Sequence, residues 1–283
     1  MGKTFGVIGG DRRQAELVKL LEQDGERVAS YGLDGWYSGR EVPLEEAVKA
    51  DVVVLPLPLC VEDELLNCRE TRLPTKELFA CMEPSQLVLA GQVKELQRRE
   101  AAERGLDLRD YFLREELTVA NAAATAEAAL QVAMERLDCA LLGMSCLVVG
   151  FGRIGKLLSH RLRALGAEVV ATARRPEDLA WIRAYGFQYM RTDELEGLER
   201  FGLVFNTVPA PLLTGSRIER LPKGCLCVDL ASAPGIDAVA AAESGVDLVW
   251  ARALPGRCVP VTAARAILNT VRYMILEERS DPV

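Results

Sequence analysis

The apolar run Leu147-Val148-Val149 leads directly into Gly150-Phe151-Gly152-Arg153-Ile154-Gly155, and a segment with Leu157, Leu158, Leu162 and Leu165 at helical spacing follows. Glycines at these three positions suit a pyrophosphate-binding turn. Gly150 permits the tight turn, Gly152 lets the backbone approach the phosphates, and Gly155 lets the helix pack close on its strand, with the phosphates over the helix N-terminus. Arg153 and Ile154 belong to the same phosphate-facing stretch. A glycine-rich turn alone is weak evidence, but here Gly166 ends a predicted helix Lys156 to Leu165 and Glu168-Val169-Val170-Ala171-Thr172 supplies the next strand. The βαβ unit of a dinucleotide-binding fold is complete. Its bland alternative is the same fold with an idle turn.

An acid at the end of that second strand would bond the ribose hydroxyls of NAD and repel the extra phosphate of NADP. This chain has Thr172-Ala173-Arg174-Arg175-Pro176 there. Small Ala173 and cationic Arg174 and Arg175 favour NADP, with NAD left open because two arginines also suit a solvated helix start. After the strand Leu203-Val204-Phe205-Asn206, Thr207 and Pro209 shape the cofactor wall.

Oxidising a 2-hydroxy acid takes a general base, usually histidine, to receive the hydroxyl proton as hydride leaves. The chain has one histidine, His160, inside the cofactor helix. It reads as a surface or packing residue, so ordinary hydroxy-acid chemistry is disfavoured.

Positioning these groups takes a sizeable core, and 283 residues with 49% apolar side chains supply one large or two medium domains. A formal net charge of −7, with acids and arginines interspersed, presents no nucleic-acid face. No apolar stretch is long enough for a membrane span, and the cytoplasm is the expected compartment. The eight cysteines lie mostly in apolar segments and read as reduced core residues; with one histidine, no zinc-type ligand set assembles, and no metal is expected.

The first third is also α/β. Thr4 to Ile8 enters a second strand-to-helix turn, Gly9-Gly10-Asp11-Arg12-Arg13, whose helix carries Leu17, Val18, Leu20 and Leu21 and stops at Gly25. It lacks the third glycine, so Asp11 and Arg12 at that helix mouth suit a small anion or an interdomain contact better than a second dinucleotide. Asp51 to Pro58 and Leu87 to Gly91 read as buried parallel strands. Asp107 to Tyr111 and Leu117 to Ala120 complete the domain. An alanine-rich helix from Ala122 to Leu142 joins it to the second. Leu226 to Ser232 and Leu248 to Ala251 are later strands, Leu254-Pro255-Gly256-Arg257 is a loop, and a final helix from about Thr262 to Glu278 returns to the first domain. The expected architecture is two Rossmann-like α/β domains with doubly wound parallel sheets. Residues 1–121, completed by the C-terminal helix of residues 262–283, form a substrate domain; residues 122–261 form the NAD(P)-binding domain.

Five segments in order carry a family resemblance: Val7-Ile8-Gly9-Gly10-Asp11; Asn121 with Thr125-Ala126-Glu127; Asp229-Leu230-Ala231-Ser232 with Pro234-Gly235; Leu254-Pro255-Gly256; and Pro260 with Thr262-Ala263. Together they resemble the A subunit of dipicolinate synthase over essentially the whole chain. The resemblance implies a formate/glycerate dehydrogenase-like arrangement with an interdomain cleft, and oxidation of a dihydrodipicolinate to pyridine-2,6-dicarboxylate. It also implies the mother cell of a sporulating bacterium and, as partner, a flavoprotein-like B subunit; a homo-oligomer is the expected assembly. The chain departs from the pattern at Ala124, Ala128, Ala233, Ile236 and Val261, and two of these, Ala233 and Val261, replace basic residues.

Aromatisation drives the loss of hydride and ring proton from a dihydropyridine, so holding the ring and its two carboxylates supplies much of what such an enzyme must do. The candidate substrate contacts are Arg12, Arg257 and Thr262. Asn121, Thr125 and Ser232 are the candidate catalytic-site groups, with Glu127 as the one nearby acid to accept a proton. Each has a plainer role: Thr125 and Glu127 ordering a helix start, Ser232 capping a turn, Arg12 on an exposed helix face. Two alternatives stand beside this reading, a dehydrogenase of another small carboxylic acid and a non-catalytic nucleotide-binding partner.

Overall fold

The computed structural model describes residues 3–33 and 35–278. The chain divides into two compact units, one holding the residues up to Asn121 and those from Pro255 onward, the other Ala122 to Leu254.

In the first unit the chain runs β1 (Thr4–Ile8), α1 (Arg12–Gln23), β2 (Arg27–Tyr31), α2 (Leu44–Ala47), β3 (Val52–Val54), α3 (Thr75–Ala80), β4 (Leu87–Ala90), α4 (Glu95–Glu103), β5 (Asp107–Asp110) and the start of α5 (Glu115–Arg136). All five strands are parallel, in the order β2-β1-β3-β4-β5. Side chains alternate between the faces of a strand. Val7, Val52, Val54 and Leu89 therefore join a core with Leu17 and Leu21 of α1, whereas Ile8, Val53, Leu55 and Val88 join one with Leu78 and Phe79 of α3. Burial on both faces explains why β3 reads as an unbroken valine run.

The second unit continues with β6 (Ser145–Val149), α6 (Arg153–Ala164), β7 (Glu168–Ala173), α7 (Pro176–Ala184), β8 (Gln188–Arg191), β9 (Leu203–Asn206), β10 (Leu226–Asp229), α8 (Ala238–Ser244) and β11 (Asp247–Trp250). Its six parallel strands are ordered β11-β10-β9-β6-β7-β8, so the winding reverses between β6 and β9. Both sheets are doubly wound, as the sequence predicts. Ligands of such sheets bind beyond the strand C-termini at the reversal.

Three boundaries differ from expectation. The joining helix α5 starts at Glu115, and Leu117 to Ala120 form its first turns; Glu115 and Glu116 face the positive end of the helix dipole there. It ends at Arg136, whose guanidinium donates to Asp247 at 3.0 Å. The segment expected as a loop is a short helix, α9 (Leu254–Cys258), and it already belongs to the first unit from Pro255. A β-carbon on Gly256 would lie 2.8 Å from the Asp11 carboxylate, so this turn packs against the mouth of α1 at a distance only glycine allows. The last helix, α10 (Pro260–Glu278), begins with proline at a position where its missing N–H costs nothing. It packs on α1, with Leu268 and Val271 in the shared core. Residues 279–283 of the expected C-terminal helix lie outside the described residues.

Candidate nucleotide site and the polar mouth of the first unit

The three glycines of the turn do different work. Gly150 has φ +98°, and a β-carbon there would collide with the Thr207 hydroxyl. A β-carbon on Gly155 would collide with the carbonyl oxygen of Gly150. Both are required by the protein itself. Gly152, by contrast, has ordinary extended backbone and nothing within 4 Å of its β-carbon position. Its lack of a side chain keeps open space at the N-terminus of α6, where there is no side-chain cap and no acid in the first turn. The positive end of the dipole of a twelve-residue helix suits a phosphate there.

The turn is pinned from neighbouring strands. Gly150 N–H donates to Thr172 Oγ1 at 3.3 Å, and that hydroxyl lies 3.0 Å from the Thr192 hydroxyl. Thr207 donates to the Val149 carbonyl from its hydroxyl at 3.0 Å. Arg153 is exposed at the first position of α6, Ile154 is half-buried beside it, and Pro209 is exposed after β9.

At the end of β7, Ala173 is buried and Arg174 is exposed with no ion-pair partner among the described residues. Arg175 differs from expectation. It stands at the N-cap of α7, and its Nε lies 2.8 Å from Asp178 and 3.4 Å from Glu177, because the first turn of α7 brings its own acids. Of the expected cation pair, Arg174 alone is uncommitted.

After β10 the buried Asp229 carboxylate accepts from Asn206 Nδ2 at 2.8 Å and from the backbone N–H groups of Ala231, Gly235 and Ile236 at 3.1, 2.7 and 3.2 Å. Ser232 is carried, exposed, on the loop this carboxylate shapes. Sequence reasoning assigns no role to the Asp229 and Asn206 side chains, because their bond joins two loops more than twenty residues apart.

Asn121, Thr125 and Glu127 lie well inside α5 and not at its entrance. Asn121 is half-buried and Thr125 buried one turn on, whereas Glu127 is exposed and its carboxylate takes Arg161 Nη2 of α6 at 2.8 Å. His160 is a packing residue. Its ring meets Tyr185 and Phe187 edge-on at 4.9 and 5.0 Å, and burial, then the Arg163 guanidinium, lowers its pKa from the usual 6.5.

In the first unit the mouth of α1 is filled from within, contrary to the anion-binding reading. Asp11 caps the helix by accepting from Arg13 N–H at 2.9 Å, while Gln14 accepts from Asp11 N–H at 3.3 Å. The carboxylate also takes buried Arg13 through Nε and Nη2 at 2.9 and 2.7 Å, and Arg13 Nη2 donates onward to the Leu57 carbonyl. A resident carboxylate already uses the positive end of the helix. The reversal between β1 and β3 is likewise occupied, since Gly10 N–H donates to the Asn67 carbonyl at 2.6 Å and a β-carbon on Gly9 would lie 2.8 Å from Cys68 Sγ. The exposed cations at this mouth are Arg12 and Arg257, joined by a 3.3 Å bond from Arg12 Nη1 to the Arg257 carbonyl; Thr262 is exposed in the first turn of α10.

The family model for the N-terminal domain of the dipicolinate synthase A subunit matches residues 4–112, and that for the NAD-binding domain of D-isomer specific 2-hydroxyacid dehydrogenases matches residues 118–243. The A subunit of dipicolinate synthase from Bacillus subtilis (strain 168) is 26% identical over 294 aligned residues, covering 99% of this chain and 98% of the relative. The crystal structure of that enzyme's A subunit from Bacillus subtilis superposes with a TM-score of 0.85 at 25% identity, covering 100% of this chain and 98% of that one. The crystal structure of its counterpart from Bacillus halodurans gives 0.82 at 24% identity, with 100% and 99% covered.

Proposed function

Because the chain resembles the A subunit of dipicolinate synthase from end to end, with a nicotinamide-dinucleotide domain of dehydrogenase type, we propose that it oxidises a dihydrodipicolinate to pyridine-2,6-dicarboxylate with NADP during sporulation. A flavoprotein-like B subunit is the partner in this reading, and the cytoplasm of the mother cell is its setting.

The observation that carries it is the pairing of an open glycine cradle with a histidine engaged elsewhere. Gly152 leaves room for a pyrophosphate, so the residues present fit a dinucleotide. The dehydrogenases that share such a domain draw a hydroxyl proton off with a base, whereas the one histidine here is wedged against Tyr185 and Phe187. A dihydropyridine has no hydroxyl proton to lose. When bound, the dinucleotide would supply the hydride acceptor; the ring would lose a hydride to it and one proton to water, and become aromatic.

The chain's own part is binding and orientation. Arg12 and Arg257 hold the two carboxylates, with Thr262 adding a hydroxyl, and Asn121, Thr125 and Ser232 offer neutral hydrogen bonds to the ring system. Glu127 is assigned to fastening α6 rather than to proton transfer, on the strength of its ion pair with Arg161. Arg174, in place of an acid, favours NADP over NAD.

The test is to mix the protein, NADP⁺ and the dihydro precursor, with and without the B subunit, and to follow nicotinamide absorbance together with chromatographic detection of the pyridine dicarboxylate. Cofactor reduction matched by product is expected. Tight NADP⁺ binding with no product under either condition would replace this reading with that of a non-catalytic nucleotide-binding subunit.

A further inference from the structure

We propose that Arg252, just past the end of β11, binds a carboxylate of the substrate, with the Trp250 indole holding it to the Ser232 loop. This rests on the dicarboxylate reading above, and it gives the second unit a cation of its own, where Arg12 and Arg257 belong to the first.

The placement starts from the sheet. β10 and β11 are parallel, Asp229 pairs with Trp250, and the Ala251 N–H donates to the Asp229 carbonyl at 2.8 Å, so Arg252 is the first residue past the ladder. Ligands of such sheets bind beyond these strand ends. One peptide there is held from both sides, because the Ala231 N–H donates to the Asp229 carboxylate and the Ala231 carbonyl accepts from Trp250 Nε1, each at 3.1 Å. Ser232 comes next. The Arg252 guanidinium carbon lies 4.8 Å from the centre of the Trp250 ring, so a single indole connects the guanidinium to the loop that carries Ser232. Beyond it Ala253 takes φ +53°, a backbone conformation rare outside glycine, and the surrounding fold thereby fixes where the strand end turns.

The charges fit a carboxylate. Arg252 is exposed and has no ion-pair partner among the described residues, and the loop Ser232-Ala233-Pro234 brings no charge of its own. The acids of these two strands are engaged elsewhere. Asp229 is buried and takes Asn206 with three backbone N–H groups, and Asp247, at the opposite end of β11, is paired with Arg136. A guanidinium presents paired N–H donors that match the two oxygens of a carboxylate, and stacking on an indole orients the fork without using those donors. The cofactor's phosphates are not the target, since β11 lies three strands from β6, roughly 14 Å across the sheet.

Calorimetric titration of pyridine-2,6-dicarboxylate into the protein saturated with NADP⁺ decides it, with NADP⁺ titrations and thermal melts alongside. Arg252→Gln is expected to melt like wild type, to weaken the dicarboxylate on the order of ten- to a hundredfold, the range for one charge-assisted contact, and to leave NADP⁺ within about twofold. Arg252→Lys keeps the charge without the planar fork and is expected to recover part of the loss. Trp250→Leu removes both the stack and the indole donor, and is expected to weaken the dicarboxylate as well. Wild-type dicarboxylate affinity in Arg252→Gln or in a folded Trp250→Leu, or an equal loss of NADP⁺ affinity in Arg252→Gln, overturns the assignment while the dicarboxylate reading stands. A wild type that takes no pyridine-2,6-dicarboxylate overturns both.

Discussion

The Asn206 amide donates to the Asp229 carboxylate at 2.8 Å, and through this bond the loop after β9 is tied to the loop after β10. Of the two strands these loops leave, β9 pairs with β6, which carries the glycine turn, and β10 pairs with β9. Asp229 accepts three further backbone N–H groups while fully buried, so truncating it strands four donors at once. Each buried donor left without a partner costs roughly 1–3 kcal/mol, partly recovered by relaxation and water entry. Asp229→Ala is expected to lose on the order of 3 kcal/mol of stability in urea denaturation, with cofactor affinity falling as well. A loss under about 1 kcal/mol would mean that the loop is organised by something else.

The glycines make opposite predictions. Gly152→Val puts a branched side chain into space that the protein leaves empty, so the variant is expected to fold like wild type and to bind no dinucleotide. Gly155→Ala drives a β-carbon into the Gly150 carbonyl, and the cost is expected first in folding. Calorimetry of each variant, alone and with cofactor, separates the two. A well-folded Gly152→Val that still binds tightly would remove the phosphates from this turn.

Much of this is legible in the sequence because it is local. The fingerprint, the valine run of β3 and the strand ends at Thr207 and Asp229 announce themselves through short-range pattern. Of the four edge strands, β2 and β8 do not, since Arg27–Tyr31 and Gln188–Arg191 carry mixed polar and apolar residues in place of a buried run. The filled mouth of α1 does have a readable signal: Asp11 followed three residues later by Gln14 is a capping-box spacing, which points to an occupied helix end. Burial of Arg13 and the Glu127–Arg161 pair depend on contacts between distant segments, and no spacing rule reaches them.

His160 should act on stability and not on turnover. Its pKa is lowered in the folded protein, by burial first and by Arg163 second, so the unfolded chain binds the proton more readily. The associated stability is fully present above the unfolded value of about 6.5 and is lost as pH falls through the lower folded value. Thermal melts from pH 8 to pH 5 are expected to show this decline, and His160→Gln to flatten it while product formation continues. Abolished turnover in a folded His160→Gln would restore a histidine-base mechanism.

The 3.3 Å bond from Arg12 Nη1 to the Arg257 carbonyl makes the two exposed arginines neighbours at one mouth, although they lie near opposite ends of the chain. The dianionic substrate of the proposed reading needs such a pair, the more so because Ala233 and Val261 stand where the resemblance implies basic residues. Charge-assisted bonds to carboxylate contribute enough that Arg12→Ala or Arg257→Ala is expected to cost roughly ten- to a hundredfold in substrate affinity or turnover. NADP⁺ affinity should hardly change, since the glycine turn and Arg174 belong to the other unit. Arg12→Lys keeps the charge but not the planar fork, so partial recovery there would separate charge from geometry. Steady-state kinetics with the dihydro precursor supply the measurement. If both alanine variants turn over like wild type, these arginines are solvated surface groups, and the dicarboxylate is held by backbone amides, hydroxyls or the B subunit.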